Sequence, residues 1–107
     1  MATDHYTYRI SWSASDDEYV ATCAEFPSLS WLDKDQAEAL KGIRQLVQKI
    51  VLDLQANGET VPVPIAEQDF SGKFLVRLPP ELHRRLALEA AESGISLNRL
   101  VSFKLAD

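Results

Sequence analysis

The sequence predicts an α+β protein in two parts: an antiparallel sheet crossed by one long helix, then a lone strand followed by two shorter helices. Three observations predict it. Residues alternate with period two from Tyr6 to Trp12 and again from Glu18 to Ala24, on either side of a polar turn. They recur at three- and four-residue steps from Ala39 to Leu54. After Ser71-Gly72 the period changes twice more, first to two and then back to the helical spacing.

The elements follow in order. Tyr6, Tyr8, Ile10 and Trp12 fall on one side of a strand, with Thr7, Arg9 and Ser11 on the other. Ser13 to Asp17 is a polar turn, and Glu18 to Ala24 is a second strand that closes an antiparallel hairpin. Pro27 interrupts the pattern, and Leu29 to Leu32 reads as a short third strand. Asp35 is a good helix N-cap, with Glu38 placed to return the bond as a capping box. The helix buries Ala39, Leu40, Ile43, Leu46, Val47, Ile50, Val51 and Leu54 on one face and ends at Asn57-Gly58. Thr60 to Ala66, with Pro62 and Pro64, is an edge strand or an extended connector.

The polar stretch Glu67 to Gly72 separates two predicted domains, residues 1–67 and 72–107. In the second, Lys73 to Leu78 is a strand with Phe74, Val76 and Leu78 on one side and Lys73, Leu75 and Arg77 on the other. Pro79-Pro80 stops it and starts a helix that runs to about Ser93, with Gly94 as its stop. Ser96 caps a last helix carrying Leu97, Leu100, Val101 and Leu105 on its apolar face.

The chain has 107 residues, 46% hydrophobic and 25% charged, the composition of a globular protein. No apolar run approaches a membrane span, and no signal peptide is expected at the start. Cys23 is the only cysteine, so no internal disulfide and no cysteine zinc site form; a reducing cytoplasm is the expected home. The net charge of −5 is uneven. Residues 1–70 hold 5 basic and 12 acidic side chains, whereas residues 71–107 hold 6 basic and 4 acidic. The front half therefore repels nucleic acid and suits a basic protein, while the tail tolerates DNA.

One strand and two helices in so short a tail cannot close a core. The economical solution is a homodimer in which two strands pair antiparallel over four helices. Phe74, Val76, Leu78, Leu100 and Val101 are then the dimerisation residues. A two-stranded ribbon fits the DNA major groove, with Lys73, Leu75 and Arg77 toward base edges. The start of the last helix, Ser96, Leu97 and Asn98, offers amides to a phosphate.

The motifs R-L-P-P-E-L-H and S-G-I-S-L-N resemble the ribbon-helix-helix domain of HicB-type antitoxins. Y-R-I-S-W-S, D-D-E-Y-V-A-T, E-F-P-S-L-S, E-A-L and the late P-V-P resemble the same family's N-terminal domain, so the likeness runs from about Tyr6 to Ala106. It implies a partial ribonuclease-H-like front that holds a small basic HicA toxin, an mRNA-cleaving enzyme. It also implies operator binding by the C-terminal dimer, and a dimer of dimers is compatible with it. Two departures stand out: Asp35-Gln36-Ala37 replaces the usual Thr-Pro-Glu, and Leu75 makes the base-reading side of the strand less polar.

Competing readings are weaker. Asp16-Asp17-Glu18 could suggest a metal-dependent nuclease, but consecutive acids at a hairpin tip point to opposite faces and do not converge on an ion. A solvated turn is the plainer reading. These three, with Glu25, are instead the acidic candidates for toxin contact. His5 and His83 have no partner at a catalytic spacing, so no catalytic residue, metal or cofactor is expected. Trp12 and Trp31 are core or interface, and Arg84 and Arg85 are solvated residues of which one could touch phosphate. The alternative function is an orphan regulator of the same build without a toxin.

Overall fold

A computed structural model describes residues 3–107. It divides into two compact units, Met1–Phe70 and Ser71–Asp107. The architecture is α+β, with a three-stranded sheet and one long helix in the front unit and helices in the tail.

In the front unit a 3-10 turn, Thr3–His5, leads into β1, Tyr8–Ser13. The strand starts later than the alternation suggests because the Tyr6 amide closes the turn on Thr3 O at 3.3 Å. β2, Glu18–Cys23, pairs antiparallel with β1 from Tyr8↔Cys23 to Ser13↔Glu18. Asp17 takes the left-handed backbone the hairpin needs, φ +53°, which Asp tolerates better than most residues. β3, Ser30–Asp33, lies antiparallel on the other side of β2. It sits one residue beyond the expected Leu29 to Leu32, because the Leu29 amide is spent on a turn to Phe26 O at 3.0 Å.

The register places Tyr8, Ile10 and Trp12 on the same sheet face as Tyr19, Ala21, Cys23 and Trp31. Helix α1, Gln36–Ala56, covers this face. Ala39, Ile43, Val47 and Val51 are buried against Tyr6, Ala21, Cys23 and Phe26. Tyr6 and Phe26 meet edge to face, with centroids 5.4 Å apart. The helix start is only half a capping box. Asp35 accepts from the Glu38 amide at 2.9 Å, but its own amide goes to Asp33 Oδ1 at 2.8 Å and not to the Glu38 side chain. Trp31 lies against Gly42, where any Cβ would collide with the indole. A glycine inside a helix costs about 1 kcal/mol relative to alanine, and here that cost admits an aromatic ring.

After α1 the chain returns along the front unit without forming a strand. Pro62 and Pro64 cannot donate to a ladder, and the segment ends in a 3-10 turn, Ile65–Glu67. Tyr6 Oη donates to Pro62 O at 2.6 Å, while Val61 packs against the core.

In the tail, α2 spans Pro80–Ser93 and α3 spans Leu97–Leu105. Pro80 occupies the first turn, Gly94 (φ +68°) ends α2, and Ser96 Oγ caps α3 by accepting from the Arg99 amide at 3.1 Å. Residues 73–78 run up to α2 with no strand pairing. The physical reason is that a strand is defined by its ladder, and no other described segment of the chain pairs with this one.

Candidate functional site

Two surfaces could carry function, one in each unit. The tail surface is an open groove of about 800 Å³. Phe74, Val76 and Leu78 line it from the extended segment, Leu82 and Leu86 from α2, and Leu97, Val101 and Leu105 from α3. Phe74 is 78% exposed, an unusual state for a phenylalanine in a complete core.

Of the residues expected at the dimer contact, Phe74, Val76, Leu78 and Val101 are brought together in this groove. Leu100 is not among the lining residues. It is 8% exposed, so its packing is already met within one chain. Leu82, Leu86 and Leu105 join the groove, and their helical spacing was the signal for them. His83 lines it as well.

The residues expected to face DNA behave unevenly. Leu75 and Arg77 do not line the groove, in keeping with alternation along an extended segment. Lys73 does line it, next to Gly72, where the chain turns with φ +82°, so the alternation holds only from Phe74 onward. In α3, Leu97 turns its side chain into the groove, so only its amide is available to an anion. The first amides of a helix have no helical acceptor; Ser96 satisfies that of Arg99, leaving those of Leu97 and Asn98 at the helix start. Near the other end of α3, Lys104 pairs with Glu89 of α2 at 3.3 Å, while Arg99 in the first turn reaches over the Phe103 ring at 5.5 Å.

The front surface is acidic. Asp16 and Asp17 are exposed at the hairpin tip, where Ser13 Oγ donates to Asp16 Oδ2 at 2.8 Å. Glu18 follows at the start of β2, and Asp33 ends the neighbouring strand opposite Tyr19. Trp12 stacks edge to face on Tyr19 at 5.0 Å and remains 52% exposed, so it is not a core residue of this unit.

Glu25 has a different occupation from the other three acids. Its carboxylate accepts from the Thr7 amide (2.9 Å), the Thr7 hydroxyl (3.1 Å), the Ile65 amide (2.9 Å) and the Cys23 thiol (3.5 Å). It therefore ties the start of β1 to the segment after α1. Burial pushes its pKa up, but the Ile65 and Thr7 amides outweigh that and hold the carboxyl below the ordinary glutamate value. Nothing in the sequence pattern signals this clasp, because its partners are 18 and 40 residues away. Burial also raises the Cys23 thiol and pushes Tyr8 up to about 12.

Among the described residues no group of three or more His, Cys, Asp or Glu is arranged to hold a metal ion. His5 pairs with Glu67 at the surface, and among the described residues no helix is long and apolar enough to cross a membrane.

The tail thus consists of two helices and an extended arm around an open, largely apolar groove. Comparison with known families gives it a more specific place. The HicB family model matches residues 56–105, from the end of α1 through α3, so the chain carries a HicB-family domain there. No curated protein and no solved structure matches the chain.

Proposed function

We propose that the protein is an antitoxin and autorepressor. In this reading the tail is a ribbon-helix-helix homodimer that binds operator DNA, and the front unit binds and neutralises a small basic HicA-type mRNA-cleaving toxin. Such a protein works in the cytoplasm. The observation that carries the reading is the open groove of Phe74, Val76 and Leu78, with Arg77 directed elsewhere, inside a HicB-family segment. A second copy supplies the missing strand and the missing apolar layer at once. The paired strands then present Lys73 and Arg77 twice to the major groove, with the amides at Leu97 and Asn98 available to phosphates.

For the front unit the support is charge. A toxin that cleaves RNA needs a positive working surface, and residues 1–70 carry 5 basic against 12 acidic side chains. Asp16, Asp17 and Glu18 are the proposed contacts, with opposite fields speeding association. Glu25, the fourth acidic candidate, lies at the opposite end of the hairpin, where it is bonded to Thr7 and Ile65.

Light scattering and gel shifts test the tail. The full chain is expected to be a dimer at micromolar concentration, and Arg77→Ala to lose about 1–3 kcal/mol per base contact. Unchanged affinity and specificity in a Lys73→Ala/Arg77→Ala double variant would refute the proposed face. Co-expression with the product of a neighbouring reading frame for a short basic protein tests the front unit, scored by growth and RNA cleavage.

One observation favours a second reading. The family match leaves β1, β2 and β3 outside it. An orphan regulator would keep the DNA-binding tail and have no toxin partner. It would bind operator equally well and fail to rescue growth.

A further inference from the structure

Leu75 is 80% exposed, the highest value among the large apolar side chains described. It does not line the groove, whereas its neighbours Phe74 and Val76 do. Closing that groove with a second copy therefore leaves Leu75 outside the new core. It sits two residues from Arg77, which also stays out of the groove, so the extended segment presents an apolar branch and a cation on one side, with Lys73 two residues earlier at the end of the groove.

A surface of that pattern suits a polyanion with an apolar spot between its polar groups. The DNA major groove has one such spot, the C5-methyl of thymine, set among the acceptors that lysine and arginine read on guanine. RNA lacks it: uracil has no methyl, and the A-form major groove is too deep and narrow for side chains to read. We propose that Leu75 is a thymine-reading residue, its branched end packed on a thymine methyl in each half-site of the operator. The inference rests on the DNA-binding reading above and adds the identity of a base. Two-fold symmetry of the dimer places two such thymines in one site, one for each copy of Leu75.

The experiment uses the full-length protein. Duplexes are selected from a random library, and the selected site is resynthesised with deoxyuridine in place of each thymine in turn. Removing one methyl contact is expected to weaken binding about fourfold, and removing both about fifteenfold, from about 0.8 kcal/mol per buried carbon. Cytosine at the same position is expected to bind weakly, and 5-methylcytosine to recover part of the loss. Leu75→Asn should bind the thymine and deoxyuridine duplexes equally and shift its preference toward adenine, which asparagine pairs in two-pronged fashion. Leu75→Val should keep the methyl dependence. Circular dichroism checks that both variants keep their helices. Equal binding of thymine and deoxyuridine duplexes by the wild-type chain would overturn the inference and leave DNA binding intact. Methyl dependence that persists in Leu75→Asn would assign the contact to another residue and overturn it equally. Selection of no duplex at all would instead remove the DNA-binding reading, and this inference with it.

Discussion

The two units use similar side chains and reach opposite results. In the front unit, Ile43 and Val47 are completely buried between a helix and a sheet. In the tail, Ala90 and Leu100 are the buried apolar residues, while Phe74, Val76, Leu78 and Leu105 stay open to solvent. The difference is one of layers. An apolar helix stripe opposite an apolar sheet face closes a core, whereas two helices and an unpaired arm supply one inner face and nothing to cover it. In the reading proposed above, a second copy of the chain covers that face.

The sharpest way to break the comparison is to damage each core and ask which property fails. Ile43→Ala removes a fully buried side chain and should cost the front unit about 2–5 kcal/mol. Urea unfolding followed by Trp12 and Trp31 fluorescence should show the loss, with tail-mediated association unchanged while the front stays folded. A dimer that falls apart in step would mean that the two units do not behave separately.

Phe74→Ala is the counterpart. It should leave the front unit's unfolding midpoint in place and weaken dimerisation by about 1–4 kcal/mol. Sedimentation over a range of concentrations reads this directly. A folded wild-type monomer at all concentrations would show that the groove has some other occupant.

Gly42→Ala tests how closely the front core is fitted. The added methyl meets the Trp31 indole, so overpacking should cost about 1–3 kcal/mol despite the better helix propensity of alanine. A thermal melt decides: a higher Tm in the variant would show that Trp31 moves aside freely.

The smallest effect concerns Glu25. Its folded pKa lies below the ordinary value, so its charged form stabilises the fold at neutral pH. That contribution is complete above the unfolded glutamate pKa and fades as pH falls through the lowered folded one. Glu25→Gln should cost about 1 kcal/mol at pH 7, a modest figure because solvent reaches the carboxylate. The gap between the two proteins should narrow in acid, below the ordinary glutamate range. A gap that stays constant down to pH 3 would assign the effect to shape and not to charge.

Much of this was legible from residue order because it is local. Period two over Tyr8–Ser13, the Asp35 cap, Gly94 after α2 and Ser96 before α3 each depend on a few neighbouring residues, and sequence displays neighbours directly. The alternation of Phe74, Val76 and Leu78 against Leu75 and Arg77 likewise needed only the geometry of an extended chain. The uneven charge, acidic before residue 70 and mildly basic after it, was a matter of counting.

Tertiary structure decided whatever depends on distant partners. Glu25 reads as a free acid beside the hairpin until Thr7 and Ile65 arrive to bond it. Gly42 looks like a weakness in a helix until Trp31 covers it, although a glycine kept inside so apolar a helix was a hint of close packing. Leu97 and Leu100 carry the same kind of side chain three residues apart, yet one turns into the open groove and the other is buried within the chain. Periodicity gives a helix its apolar stripe, but which part of that stripe meets its own chain and which part stays open depends on where α2 packs. That choice is made by long-range packing, which no local pattern encodes.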